Sequence, residues 1–230
     1  MTELKLDWAS HEAAKYACEN WHYTKKMPVN KTVKIGAWED GKFIGVIIFS
    51  PGANPYLYKS YNLTQQEGCE LTRIALNKHK SSVSKILAIA LKLLKKSNPK
   101  LKLVISFADT AQGHHGGIYQ ATNWIYVGNA KPRKIPCYKG KFIHERSLSE
   151  LVKQGKIKRS DCTWVNAPIK HKYLMPLDLE IKQNIIKLAK PYPKRVKSIV
   201  ADTPRFHLGE DGAEPILTLH SSNSKASDEA

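Results

Sequence analysis

CELTRIALNKHKSSVSKILAIALKLLKKSNPKLKLVISFAD, residues 69–109, is the stretch from which the architecture can be read. CELTRIAL (69–76) predicts a strand. Ser82 to Ser97 predicts a helix that is apolar nearly all round, and so one expected to lie buried against a sheet. LKLVISFAD (101–109) predicts a second, apolar-rich strand. Working outward, GHHGGIYQATN leads into a short helix, and WIYVG (124–128) predicts another strand. On the other side, TVKIGAW (32–38) and FIGVIIF (43–49) read as two strands joined at Asp40-Gly41, a hairpin signal. SPGANPY, with Pro51, Gly52 and Pro55, is a loop. Asp7 is expected to cap a first helix running to about Glu19, followed by the connection WHYTKKMP. The order helix, hairpin, strand, long helix, strand, helix, strand is an α/β layer on a mixed sheet flanked by helices.

Beyond residue 130 the pattern is sparser. A short helix is expected at Ser147 to Gln154, where Ser147-Leu148-Ser149-Glu150 forms a capping box. A second is expected from about Asp178 to Leu188. Between them HKYLMPL reads as a strand that returns to the core. The chain of 230 residues is 42% hydrophobic and 25% charged, the balance of a folded protein. No apolar run approaches the roughly 20 residues of a membrane span; the longest, Ile86 to Leu94, is broken by Lys92. MTELKLDW lacks the basic and apolar regions of a secretory signal. Cys18, Cys69, Cys137 and Cys162 have neither zinc-ligand nor disulfide-framework spacing. A cytoplasmic location is expected, with no membrane partner.

Charge divides the chain. Residues 1–130 carry 17 basic and 9 acidic side chains, residues 131–200 carry 18 and 5, and residues 201–230 carry 2 and 6. This suggests a catalytic core over 1–130, a basic extension packed on it over 131–200, and an acidic, partly disordered tail over 201–230. KPRKIPCYKGK and KQGKIKR set lysine and arginine near Tyr138, Phe142 and Trp164, a mixture suited to a polyanion. Lys131, Arg133, Lys134, Lys156, Lys158 and Arg159 are the expected phosphate contacts, and double-stranded DNA is the expected partner. A solubilising lysine surface is the alternative. A second copy of the chain is a further candidate partner.

Candidate chemistry gathers around strand ends. Asp109 closes an apolar strand, where open α/β sheets collect their functional groups. A carboxylate there can orient an amine, accept its proton or bind a metal; a turn-forming Asp is the alternative. His22 and Tyr23 can supply a metal ligand, a base or a stacking face, or simply end the first helix. His114 and His115 precede Gly116-Gly117 and complete, with His22 and Asp109, a candidate metal set for which iron is the candidate ion. Alternation places Leu71, Arg73 and Ala75 on one face of their strand. Arg73 should point into a cleft or meet a carboxylate, Asp109 being a candidate. Lys78, Lys80, Ser82 and Ser84 could hold an anion at the head of the long helix, or the serines could be ordinary N-caps.

Two resemblances follow from these blocks. CELTRIAL, NKHKSSVS, KILAIALKLLKK, LVISFAD and GGIYQATNWIYVG resemble the central half of the GCN5-related N-acetyltransferase fold. In that fold a glycine-bearing loop lets backbone N–H groups reach the pyrophosphate of coenzyme A at a helix N-terminus. The loop Asn77 to Ser84 has no glycine, which argues against an acyl-coenzyme A donor. Tyr119 stands where that fold often keeps a Tyr near the leaving sulfur, and aromatic packing accounts for it equally well. More closely, WHYTKKMP, CELTRIAL, SFADTAQGHHGGIYQATNWIYVG, HERS and KHKYLMPLD resemble the Mom family of bacteriophage DNA-modification proteins, over about residues 10–190. That resemblance implies transfer of a carbamoylmethyl-type group to the exocyclic N6 of adenine in DNA, protection from host restriction, and a link to iron. Such chemistry requires a flipped base, with Tyr23 and Trp124 as candidates to hold it. An acyl-coenzyme A N-acyltransferase of a small amine or a protein and a non-catalytic DNA-binding protein are the competing classes.

Overall fold

The computed structural model describes residues 2–52, 54–143 and 145–194, the side chain of Arg146 excepted. The expected acidic tail lies outside the described residues. In chain order come β1 (Leu4–Trp8), α1 (His11–Trp21), β2 (Val33–Glu39), β3 (Lys42–Ser50), β4 (Gly68–Leu76) and α2 (Val83–Ser97). Then follow β5 (Leu103–Asp109), α3 (Gly117–Gln120), β6 (Ile125–Asn129), β7 (Lys134–Tyr138), β8 (Lys141–Phe142) and α4 (Glu145–Lys153). β9 (Thr163–Asn166), β10 (Lys170–Pro176) and α5 (Leu179–Ile186) complete the series. By contact, residues 2–131 and 168–194 form one compact unit and residues 132–167 a second. The basic stretch 131–200 is thus divided between the two.

The first unit is built on a seven-stranded mixed sheet in the order β1-β2-β3-β4-β5-β10-β6. β4 and β5 run parallel, and every other neighbouring pair is antiparallel. The β2–β3 turn is the expected hairpin: Asp40 and Gly41 both take positive φ, 50° and 77°, which matches the strand twist. HKYLMPL is indeed a strand, β10, inserted between β5 and β6. The second unit carries a three-stranded antiparallel sheet, β8-β7-β9, with α4 beside β7.

Strand alternation sorts the core by face. Ile47 and Phe49 pack with Ile86, Leu87, Ala90 and Leu94 of α2, whereas Val46 and Ile48 pack with Ala14, Ala17 and Cys18 of α1. Leu103 and Ile105 point the other way from Val104 and meet Ile181 and Ile185 of α5. One face of the sheet is therefore covered by α2 and α3, the other by α1 and α5.

Four local expectations are corrected. Asp7 lies in β1, opposite Gly36, and Ser10 caps α1 by accepting from the Ala13 N–H (3.1 Å). Edge pairing with β2 claims the segment that local propensity would give to the helix. α2 is one-sided: Ile86, Leu87, Ala90, Leu91 and Leu94 are buried while Lys85, Lys92 and Lys96 are exposed. α4 begins at Glu145, so Ser147 sits inside it and is no cap. The β3–β4 register steps from Ile48↔Arg73 to Phe49↔Leu71, leaving Thr72 as a bulge. Leu71 accordingly joins the α2 face, while Arg73 and Ala75 join the α1 face, so alternation fails across that one residue.

Candidate active site

β4 and β5 pair only from Gly68↔Leu103 to Glu70↔Ile105. Past that point the strands part. The Ser106 hydroxyl, buried, lies 3.0 Å from the Leu71 carbonyl and 2.8 Å from the Tyr119 hydroxyl. Arg73 and Asp109 lie on the parted segments, and the end of α1 brings up His22 and Tyr23.

His22 is the C-cap residue of α1 and is buried. Its Nδ1 accepts the Thr24 backbone N–H (3.1 Å) and lies 2.8 Å from Thr24 Oγ1, so the ring proton sits on Nε2. Burial, followed by the positive Arg73, lowers its pKa to about 3. His22 is therefore neutral at neutral pH. Tyr23 lies against it, with ring centroids 4.2 Å apart, and meets His114 edge-on at 5.5 Å. Tyr23 remains 42% exposed. Partial burial and then the Asp109 charge push its phenol up, while Arg73 opposes.

Asp109 caps the 3-10 turn Thr110–Gln112, accepting the Ala111 N–H at 3.1 Å through Oδ1. The turn-forming role is thus present, together with an ion pair: Oδ2 meets Lys170 Nζ at 3.1 Å. Lys170 stands opposite Asp109 in the β5–β10 register. The expected Arg73–Asp109 pairing is replaced by this one. Arg73 is half-buried; its Nη1 donates to the Thr72 carbonyl (2.9 Å), and its Nε is buried with no hydrogen-bond partner among the described residues. An unpartnered donor on a buried cation is costly, which makes the position notable.

The two adjacent histidines diverge. His114 donates its backbone N–H to the Asp109 carbonyl (3.1 Å) and faces Tyr23. Burial lowers its pKa against the opposing Asp109 charge. The His115 carbonyl accepts from the Tyr173 hydroxyl (2.6 Å), and its Nε2 lies by Gly117. Gly116 has φ 87°, and a Cβ there would strike the Tyr173 ring, so only glycine allows this turn. Among the described residues no three His, Cys, Asp or Glu side chains are grouped to hold a metal. His22 Nδ1 and Asp109 Oδ2 are already engaged.

Tyr119 and Trp124 belong to the core. Tyr119 is buried against Trp124 and Tyr173, and burial raises its hydroxyl to about 12. Trp124 is fully buried and presents no face for a base. At the head of α2, Ser82 is the N-cap, accepting the Lys85 N–H (3.3 Å), and Ser84 bonds to the Ser82 hydroxyl (3.1 Å). Lys78 takes a left-handed φ of 49°, and Lys80 Nζ is exposed, 3.9 Å from Asp40. Lys131, Arg133, Lys134, Lys156, Lys158 and Arg159 are all exposed. Arg159 also pairs with Glu145 (3.1 Å) and lies over the Trp164 ring.

Three side chains at these places escaped the sequence reading: Lys170, Ser106 and Glu39, whose carboxylate occupies the loop before α2. A lysine opening a strand, a serine within one and a glutamate at a hairpin carry no local signal. Their significance comes from partners far along the chain.

Comparison with known proteins places this geometry in context. The model of the Mom protein family matches residues 3–194. The methylcarbamoylase mom of Escherichia phage Mu is 26% identical over 157 residues, 66% of this chain and 65% of that protein. The match therefore spans just under two thirds of the relative's length. Similar solved structures include an aminoglycoside acetyltransferase in complex with coenzyme A and kanamycin, 9% identical with a TM-score of 0.47 over 80% of this chain and 98% of that one. A GNAT family acetyltransferase from Streptococcus pneumoniae is 9% identical with a TM-score of 0.44, over 76% and 100% respectively. Likenesses at these scores assign no chemistry to the present chain. No helix among the described residues is long and apolar enough to cross a membrane.

Proposed function

The chain belongs to the Mom protein family, and from that premise we propose that it is a DNA-modifying transferase placing a carbamoylmethyl-type group on adenine N6, protecting DNA against restriction. The observation that carries this reading is the meeting of His22, Tyr23, Arg73, Asp109 and His114 where β4 and β5 part.

The exocyclic amine of adenine is a poor nucleophile because its lone pair is delocalised into the purine. Reaction on it requires a flipped base, a proton acceptor and a stabiliser for charge developing on the donor. The exposed Tyr23 ring, backed by His22, offers the stacking face. Asp109 is the proton acceptor; its carboxylate is 17% exposed and is held by Lys170 and the Ala111 N–H. Arg73, with Nε unused, is the cation that faces developing negative charge. His22 stays neutral and adds no competing charge. As the new N–C bond forms, the bond between the transferred carbon and the donor's leaving group breaks, that group departs with the electron pair beside the Arg73 cation, and the amine proton passes to Asp109. No step is routed through a metal.

The exposed basic side chains supply phosphate contacts. Residues 132–167 carry nine basic and three acidic side chains, an excess suited to gripping a duplex without reading its bases. Mass spectrometry of nucleosides from the DNA of cells expressing the chain tests the reading. An N6-substituted adenine nucleoside is expected; unaltered nucleosides beside folded protein would overturn it.

A further inference from the structure

The head of α2 is where a coenzyme A-type donor would place its pyrophosphate, because the leading N–H groups of a helix and its loop form an anion site. In this chain two of the loop groups and one first-turn group are taken. Glu39, the last residue of β2, is buried, and its Oε2 and Oε1 accept the backbone N–H groups of Lys80 (2.8 Å) and Ser81 (2.6 Å). The next residue, Ser82, closes the first turn through its hydroxyl. These backbone hydrogen bonds hold the Glu39 carboxyl down at about 2, so it is ionised at any working pH. A phosphate entering here would find the Lys80, Ser81 and Lys85 donors occupied and a fixed negative charge beside it. Val83 and the absence of glycine further deny the close backbone approach such a group needs.

We infer that Glu39 is an internal stand-in for a donor's phosphate, barring pyrophosphate-bearing thioesters from the head of α2 and restricting the enzyme to a donor without that group. Glu39 touches no reacting atom in this account; it is a specificity-determining residue. The inference concerns the donor alone, so a failure of the adenine assignment leaves it standing.

Calorimetric titration of acetyl-coenzyme A into the full-length chain is the first test. The wild type is expected to give no binding heat at millimolar ligand. Glu39→Ala and Glu39→Gln should bind at least about tenfold more tightly than the wild type, the equivalent of removing one adjacent like charge. Inorganic pyrophosphate should raise the melting temperature of Glu39→Ala and leave that of the wild type unchanged. A second measurement needs no variant: hydrogen exchange at the Lys80 and Ser81 amides of the wild type. Protection in the free protein, unchanged by acetyl-coenzyme A, supports the inference. Micromolar binding by the wild type, or amides that become protected only when acetyl-coenzyme A is added, overturns it. Variants that fold yet bind no more tightly than the wild type also overturn it.

Discussion

The C-terminal end of α1 and the head of α2 are both places where a helix terminus meets a polar loop, yet they are finished in opposite ways. At the head of α2, Glu39 and Ser82 engage the Lys80, Ser81 and Lys85 donors from within the chain. At the end of α1, Tyr23 is left partly exposed, and the neighbouring Arg73 keeps a buried N–H with no partner among the described residues. Groups that the chain has already paired are committed to the fold. Groups held in place but left unpaired retain free energy to spend on something else. The contrast supports the proposal that chemistry lies at the first terminus.

The largest expected effect tests the open end. Asp109→Ala should reduce adenine modification by about 10²–10⁴-fold, the range for a general base, while DNA affinity stays close to wild type and stability falls only by about 1–2 kcal/mol, the loss of a turn cap and a partly exposed ion pair. Retention of full activity would reduce Asp109 to its turn-capping role. Nucleoside mass spectrometry with a parallel melt reads both.

The two aromatics once interchangeable as base holders should separate cleanly. Trp124→Ala empties a fully buried site and should cost about 3–5 kcal/mol of stability. Tyr23→Ala should leave the denaturant midpoint nearly unmoved and weaken capture of the base by about 1–3 kcal/mol. Equal destabilisation by the two would remove the stacking role from Tyr23.

Acid titration sharpens the comparison further, because each terminus holds one group with a lowered pKa. The unfolded chain protonates His22 near its ordinary 6.5, whereas the fold resists until about 3. Stability is full above pH 6.5 and falls as the pH drops from 6.5 toward 3. Glu39, ordinarily 4.5 and held at about 2, acts in the same direction over the lower window from 4.5 to 2. His114 and His171, lowered by burial, add to the upper slope. His22→Asn should flatten the stability decline between pH 6.5 and about 3, leaving the Glu39 contribution between 4.5 and 2 in place. Urea melts across this range check the assignment.

Away from both termini, changing Lys131, Arg133 and Lys134 to Gln, or Lys156, Lys158 and Arg159, should weaken DNA binding similarly across sequences. Each lost phosphate contact should lower the salt slope by about 0.9. The second set should fall short of the first, since Arg159 is partly engaged by Glu145. No change in slope would make these charges a solubilising surface. The smallest effect belongs to Ser82→Ala, a lost cap worth about 1 kcal/mol, with modification intact.

Much of this molecule could be read locally. Asp40-Gly41 named its own turn, because positive φ at both positions suits few residue pairs. The strand ending at Asp109 and the helix beginning after Ser82 follow from periodicity and capping. Asp109, His22 and Tyr23 were recognisable as candidates because polar groups sat where a strand and a helix stop, and Arg73 because a cation inside a strand is costly to bury unpaired. Their mutual arrangement was not recognisable. The bulge at Thr72, which carries Arg73 to the α1 face, arises from pairing with β3. The separation of His114 from His115 arises from packing of Gly116 against Tyr173.

By itself, then, the amino-acid order determined the strands and the long helix between residues 32 and 128, and that a basic chain carries acid, base and aromatic groups along them. Side-chain periodicity and backbone sterics act over one to four residues, so that information is local. Only the tertiary structure decided that β10 lies between β5 and β6, delivering Lys170 to Asp109. It alone decided that Glu39 reaches a loop 41 residues away. Such pairings depend on strand register and on which face buries its apolar side chains, free energies that belong to the assembled sheet and to no single segment.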